Sequence, residues 1–380
     1  MKAHGSRSRQ RQGGMSLVEL MVGMVLGLLL LGAIMQVYLS TKMTFNTQDQ
    51  KSALEESGRY SLEVIARDVR MAGLAGCNSR FMPGAPRPPV RNHLNGGTAF
   101  PFEFATAVSG FEAQGSGPGQ QIALASTNPA PGGTWDAALP AEVAALAVPG
   151  SDVLLLSGLT AQTWPLVDPF TQGAQIFVQS GNDIVQGDVL FVTDCSQGIV
   201  FQASSVNAAD GKTNITGAKT GAIAPGNSDP ISDQGPNGGA FRQGAMVARA
   251  VSLAYFIGRG ANGTPSLFRA SLLPTDANAA ARVLRTEELI SDIESMQLLY
   301  GVDSDGDFAI NEYRTAAAVG TDWNNVRAVR TAFLARADGN TLTSDDTATY
   351  SMLGTTVDPV NDRRQRRVFE MTISLRNRLP

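Results

Sequence analysis

The feature that most constrains this chain is a long, uncharged, apolar run near its N-terminus. Residues 20–41 contain no Asp, Glu, Lys or Arg over 22 positions. As an α-helix with a rise of about 1.5 Å per residue, this run is long enough to cross a hydrocarbon core about 30 Å thick. The sequence therefore predicts one membrane-spanning helix.

The residues before the run predict its orientation. Lys2, Arg7, Arg9 and Arg11 lie within the first 14 residues, which contain no acidic residue. Basic flanks stay on the cytoplasmic side of a membrane, so we expect the rest of the chain on the periplasmic side of the inner membrane. An ordinary signal peptide has a shorter apolar region followed by a small-x-small cleavage site, and no convincing site of that kind follows this run.

One acidic residue, Glu19, lies within the apolar segment. A carboxylate there costs about 3 kcal/mol unless it finds a partner. Glu19 is five residues beyond Gly14, so cleavage between Gly14 and Met15 would make it the fifth residue of a chain with a free amino terminus. The amine of a neighbouring subunit could then neutralise the carboxylate in the apolar interior of a filament.

This N-terminal segment resembles the class III signal of type IV pilins and of the pseudopilins of type II secretion. The resemblance covers the apolar run and the residues Gly14, Met15, Ser16, Leu17 and Glu19. It implies that a prepilin peptidase cuts after Gly14 and methylates Met15, and that Glu19 sets subunit registry. Met15 replaces the usual Phe, and no proline interrupts the run, which favours a minor pilin or pseudopilin. The alternative is an uncleaved signal anchor with a chance glutamate.

The helical pattern continues beyond the apolar run. Apolar and small residues recur at three- and four-residue spacing, with charged residues between them: Leu54, Gly58, Ser61, Leu62, Ile65, Val69 and Ala72. The spacing predicts one helix from about Met15 to about Met71, roughly 85 Å long. Gly73 and Gly76 are the expected stop.

Four segments are predicted along the chain. They are a leader peptide (1–14), a transmembrane or filament-core helix (15–41), an amphipathic continuation of that helix (42–76) and a periplasmic, β-rich body (77–380). A polar, Gly-rich stretch at about 206–243 suggests that the body has lobes at 77–243 and 244–380. Residues 83–150 are rich in Pro and Gly and predict long loops over a few short strands.

Runs of β-branched and aromatic residues predict strands in the body. They are 152–156, 175–179, 189–193, 199–203, 246–257, 266–272 and a final strand near 369–376. Residues 246–257 and 266–272 flank a Gly-rich turn and predict a hairpin. The fold class is therefore α+β of the type IV pilin-like kind, in which a long N-terminal helix packs on antiparallel sheet.

Several segments of the body, and one in the helix, resemble the PilW family of minor pilins. They read ESGRYSLEVIARDVRMAGLAGC at 56–77, LLYGVDSDGD at 298–307, NNVRAVRTAFLARA at 324–337 and RRVFEMTISLRNRLP at 366–380. Proteins of this family are similar to the J-type pseudopilin. The resemblance implies a structural subunit of a pilus-priming, tip-proximal complex, with other minor pilins, the major pilin, a tip adhesin and the inner-membrane assembly platform as partners. Such a subunit moves from the inner membrane to the pilus tip at the cell surface.

Other function classes remain open at this point. The J-type pseudopilin of type II secretion is the near alternative, although it is usually much smaller. A signal-anchored periplasmic enzyme or binding protein needs a catalytic constellation, but the body has a single histidine, His93, and neither H-E-x-x-H nor G-x-S-x-G. We therefore expect no enzyme and no required cofactor. An adhesin that binds a ligand through the loops of 83–150 is a third possibility.

The only two cysteines, Cys77 and Cys195, predict a disulfide. The body is expected in an oxidising compartment, where disulfides persist. A bond between them would close a loop of about 118 residues, which is worth up to about 4–5 kcal/mol in the chain-entropy treatment. The alternative is a pair of unpaired, buried thiols.

An acidic segment, DSDGD at 303–307, resembles the start of a calcium-binding loop. Asp303, Asp305 and Asp307 occupy alternate positions, and carboxylate oxygens are ligands that calcium prefers. The sixth and twelfth positions of an EF-hand loop are not matched. Calcium would therefore need Glu312 or backbone oxygens, and the alternative is a solvated acidic turn.

Basic residues cluster before the last strand, at Arg363, Arg364, Arg366 and Arg367. A net charge of −4 and the lack of interleaved aromatic residues argue against contact with nucleic acid, whose phosphates require a basic surface. We expect a solvated start of the strand or an acidic partner subunit instead.

Overall fold

The structure is a computed structural model that describes residues 16–74, 90–170, 173–194, 196–220, 223–232, 235–236, 239–274 and 281–378. The chain forms two compact units, Met1–Ser52 and Ala53–Pro380. One helix, Leu17–Met71, contributes residues to both units.

The described residues form one long and two short α-helices. They are α1 (Leu17–Met71), α2 (Ala141–Ala144) and α3 (Ala316–Val319), with 3₁₀ turns at Asp322–Asn325 and Arg376–Arg378. The observed helix α1 confirms the prediction of one continuous N-terminal helix. The spacing of its apolar residues and the absence of proline both favour an uninterrupted helix. Within the described residues, α1 is the one helix that is long and apolar enough to cross a membrane.

The described residues also form eighteen strands. They are β1 (Val90–Asn92), β2 (Val108–Phe111), β3 (Gln121–Ala123), β4 (Val153–Pro165), β5 (Gln175–Gln179), β6 (Val189–Thr193), β7 (Gly198–Gln202), β8 (Ser205–Ala209), β9 (Lys212–Thr216), β10 (Met246–Arg259), β11 (Pro265–Pro274), β12 (Arg282–Ser291), β13 (Ile293–Val302), β14 (Glu312–Arg314), β15 (Val326–Arg336), β16 (Tyr350–Met352), β17 (Thr355–Asp358) and β18 (Arg366–Ser374).

The strands form four sheets in the second unit. The largest has eight strands in the order β1-β7-β6-β10-β11-β12, with β4 on β10 and β2 on β4. The others have the orders β14-β13-β15-β18, β16-β17-β3 and β5-β9-β8. Pairing is antiparallel except for β1 with β7 and β3 with β17. The α+β class and the antiparallel sheets are therefore confirmed.

The main core of the second unit lies between the C-terminal part of α1, the eight-stranded sheet and the four-stranded sheet. Ile65 and Val69 from α1, Tyr255 from β10 and Phe333 from β15 all contribute to it and are fully buried. The other face of the four-stranded sheet carries the β16-β17-β3 sheet. A further core, around Phe201, joins β5 and β9 to β6 and β7.

The strand predictions were right where side chains alternate or a β-branched run is bounded by turn residues. β5 and β6 have the predicted bounds, and the predicted hairpin is β10 and β11. The polar stretch near 206–243 also contains strands that were not predicted, since β8 and β9 form a hairpin around Asp210 and Gly211, both at positive φ. These two strands consist largely of Asn, Thr and Ala residues, so they lack the run of apolar residues by which the other strands were predicted.

Candidate assembly site on the N-terminal helix

The first turn of α1 holds the carboxylate that the sequence singles out. The Ser16 backbone N–H donates to Glu19 Oε2 at 3.0 Å, and the Glu19 N–H is 3.4 Å from Ser16 Oγ. This reciprocal arrangement is a capping box, in which the side chains at N-cap and N3 satisfy free backbone donors of the first turn. Gly14 and Met15, the expected processing residues, lie outside the described residues.

The part of α1 in the first unit displays its apolar side chains. Every Leu, Met, Val and Ile between positions 17 and 43 is exposed. At Gly23 and Gly27, no described atom beyond the two neighbouring residues and the nearby helix backbone lies within 4 Å of where a Cβ would stand. A contiguous apolar surface of this kind marks a contact with lipid or with another protein.

The second part of α1 is fixed within the body. Leu54, Leu62, Ile65 and Val69 are buried in the main core. A Cβ at position 58 would lie 2.2 Å from the Phe369 ring, so glycine is required for the helix to approach β18 this closely. The residues that recur at three- and four-residue spacing in the sequence therefore form the face of the helix that contacts the body.

The C-terminal end of α1 is capped by residues distant in sequence. Gly73 has φ of 72°, the left-handed conformation that commonly follows a helix. Its N–H donates to the Ser157 carbonyl at 2.8 Å. The side-chain amide of Asn377 lies 3.2–3.3 Å from three carbonyl oxygens at the helix end. The predicted stop at Gly73 is correct, and Gly76 lies outside the described residues.

The structure brings together the three aspartates of the 303–307 loop. Their carboxylate oxygens lie within 4.8 Å of one another, with Asp305 and Asp307 exposed and Asp303 buried. Asp303 Oδ2 accepts from Arg327 Nη2 at 2.9 Å, and its Oδ1 accepts the Gly306 N–H at 2.7 Å. Although burial favours the neutral acid, these hydrogen bonds lower the pKa of Asp303 below its ordinary value.

The fourth expected calcium ligand is placed elsewhere. Glu312 is not in the aspartate group, and its Oε1 accepts from Arg314 Nε at 2.8 Å. The loop therefore offers three carboxylates, of which Asp303 already has a cationic partner. Calcium binding stays a prediction from the sequence.

The basic cluster at 363–367, which extends into β18, is not a uniformly solvated surface, so that expectation was wrong for one of its members. The Arg366 side chain is fully buried, and its Nε donates to Glu294 Oε2 at 2.7 Å. Its neighbour Arg367 is 55% exposed and pairs with Glu55 of α1. Arg363 pairs with Asp345 at 3.4 Å. Each of these three arginines thus has an acidic partner within the chain.

A buried acid, Asp152, was missed by the sequence reasoning. Its Oδ1 accepts the Ala113 N–H at 2.9 Å, and its Oδ2 accepts the Leu298 N–H at 2.8 Å. Complete burial and the nearby charge of Glu112 raise the pKa of Asp152 to about 8. Asp152 joins β2, β4 and β13, and an aspartate directly before the apolar run of β4 was the available signal.

The predicted disulfide cannot be placed, since Cys77 and Cys195 both lie outside the described residues. It stays a prediction.

Two family models match opposite ends of the chain. Residues 254–377 match the family described as Type IV Pilus-assembly protein W, a region that begins in β10 and includes the 303–307 loop. Residues 9–35 match the Prokaryotic N-terminal methylation motif, which includes Glu19. No curated protein and no solved structure matches the chain.

Together, the single apolar helix, the capping-box glutamate and the methylation motif define the class. The chain is a type IV pilus-related, prepilin-like protein, anchored by one N-terminal helix. Within this class, the C-terminal part of the body, residues 254–377, is similar to the PilW family of type IV pilus-assembly proteins. These families are structural components of pili rather than known enzymes, which implies contact with other pilus components and with a prepilin peptidase.

Proposed function

We propose that this protein is a minor pilin, cleaved after Gly14 and methylated at Met15, that acts in the priming or tip complex of a type IV pilus. The observation that carries the proposal is the difference in burial between the two parts of α1. Its first part exposes apolar side chains beside the carboxylate of Glu19, and its second part is buried in the body. One helix thus joins a packing surface to a folded domain.

Glu19 is the residue that ties assembly to the helix. In the single chain its carboxylate accepts the Ser16 N–H, so that it is not left without a partner in an apolar surrounding. In the filament, the methylated amine of Met15 from a neighbouring subunit would supply a cationic donor. A cation beside the carboxylate adds a Coulomb attraction that a neutral backbone N–H does not supply, and this attraction is stronger in an apolar interior than in water. Exchange of partners therefore favours the assembled state at one register.

The remaining assignments follow from this role. The body occupies the periplasm before assembly and the pilus tip afterwards. Its partners are other minor pilins, the major pilin, a tip adhesin and the inner-membrane assembly platform. No catalytic step is assigned to the chain itself.

Deletion of the gene tests the role. We expect loss of surface pili and of twitching motility, with unchanged secretion of exoproteins. The reverse result, normal pili with failed secretion, would assign the protein to a type II secretion pseudopilus as a J-type pseudopilin.

Complementation with variants tests the contribution of Glu19. Glu19→Gln keeps an acceptor for the Ser16 N–H but removes the charge, so we expect membrane insertion at the wild-type level without restoration of pili. Glu56→Gln is the matched control, because Glu56 is an exposed glutamate on the same helix, and it should restore pili fully. Full piliation by Glu19→Gln would refute the registry role.

A further inference from the structure

A cleft of about 630 Å³ lies beside β3, on the opposite side of the four-stranded sheet from α1. One wall is β3 and the residues that follow it, as far as Ala130. The other includes residues 148–150 and Pro265. This volume is within the range of preformed ligand sites, which is about 300–1,000 Å³.

The wall formed by β3 is a free sheet edge. The Leu124 N–H donates to the Asp358 carbonyl at 2.8 Å, and the Thr356 N–H donates to the Gln120 carbonyl at 2.9 Å. Since successive residues of a strand direct their peptide groups to opposite edges, those of Gln121 and Ala123 face away from β17. Both residues line the cleft, and in the described part of the chain no strand other than β17 pairs with β3.

Among the described residues that line the cleft, Glu294 is the one that is ionisable. Its Oε2 accepts from Arg366 Nε at 2.7 Å, and its Oε1 lies 3.1 Å from Arg366 Nη2 and 3.4 Å from Arg336 Nη1. The two arginines thus neutralise the charge of Glu294. The other lining residues are Gly, Pro, small or apolar residues and uncharged amides.

The edge of β3 carries no charged residue. Natural proteins protect exposed edge strands with charged side chains, because the unpaired peptide groups recruit other strands. The terminal strands β1, β12, β14 and β18 carry charged residues, whereas β3 and the segment after it, QIALAS at 121–126, carry none, as is also true of the terminal strands β2, β5, β8 and β16. The edge of β3 therefore lacks the usual protection against strand addition.

We propose that this cleft binds an uncharged, extended peptide segment of another protein, which adds as a strand to the free edge of β3. The peptide groups of Gln121 and Ala123 would pair with its backbone, as in other cases of strand addition. An ionised side chain would be excluded, because the cleft offers it no unpaired opposite charge and burial without one is costly. The inference concerns the body and does not depend on filament assembly.

The test uses the full-length protein in lipid nanodiscs and a phage-displayed library of random heptapeptides. We expect selected peptides to share an uncharged, β-branched core. Their synthetic forms should bind the wild type and lose at least tenfold in affinity on Ala123→Pro. That change removes an N–H that faces the cleft and leaves the β17 ladder intact, since proline is tolerated at an edge position of this kind.

Two further variants separate the backbone contact from loss of folding. Ala123→Ser keeps the N–H and should bind as the wild type does. Ala125→Glu introduces a charge on an exposed residue of the cleft wall and should weaken binding without lowering the melting temperature. Equal binding by Ala123→Pro and the wild type would overturn the proposal, as would selection of charged peptides, selection of none, or occupation of the cleft by lipid alone.

Discussion

Replacement of Arg366 by Met is expected to lower the free energy of unfolding of the body by about 3–5 kcal/mol, the usual cost of removing one partner of a buried ion pair. In the wild type, Arg366 Nη1 donates to Asp362 Oδ1 at 2.8 Å, in addition to the bonds that Arg366 makes to Glu294. Although burial disfavours the charged guanidinium, these carboxylates raise the pKa of Arg366 above its ordinary value. Its loss leaves Glu294 buried, with the Arg336 contact at 3.4 Å as its remaining ion pair.

The adjacent arginine provides the matched control. Arg367 is 55% exposed in its pair with Glu55, and exposed ion pairs contribute about 0–1 kcal/mol. Urea unfolding of the full-length variants in detergent, followed by tryptophan fluorescence, gives both values. The reasoning is refuted if Arg366→Met destabilises the body no more than Arg367→Met does.

Three further predictions concern pH, calcium and the cysteines. The raised pKa of Asp152, about 8 against an unfolded value of 3.8, means that the folded state retains a proton which the unfolded state loses. Stability should therefore fall as pH rises from about 4 to 8, and Asp152→Asn should flatten this part of the melting temperature profile. Calcium at 100 times its Kd should add about 2.7 kcal/mol to stability, and Asp305→Asn with Asp307→Asn should abolish the gain; no calcium effect on the wild type would leave the loop as a solvated turn. Non-reducing peptide mapping should recover Cys77 joined to Cys195, and Cys77→Ser should destabilise the body by about 2–5 kcal/mol; free thiols in the oxidised protein would exclude the bond.

The spacing of apolar residues along the sequence was enough to predict α1 and two of the strands. The start of α1 was placed within two residues and its end at Met71, because apolar spacing specifies one helix face and Gly73 provides the left-handed residue beyond the end. β5 and β6 were predicted with their observed bounds. The strands β8, β12, β13 and β15 were not assigned, because each depends on a partner strand or on burial that a single segment does not reveal.

Some features of the candidate site were also recognisable in the sequence, and others required the structure. Glu19 was recognisable because a carboxylate in an apolar run is costly, yet its hydrogen bond to Ser16 required the structure. Arg366 and Arg367 are indistinguishable in sequence. Only the position of Glu294, 72 residues away, makes one of them a buried ion pair. The free edge of β3 likewise depends on which strand pairs with it.

The N-terminal mass of the protein purified from its own host tests the central claim most directly. The account predicts a chain that begins at N-methylated Met15, and an unprocessed chain when the prepilin peptidase is deleted. A chain that retains Met1 in the wild-type host, or one cleaved after the apolar run at 20–41, would contradict assembly through Glu19 and the filament role with it.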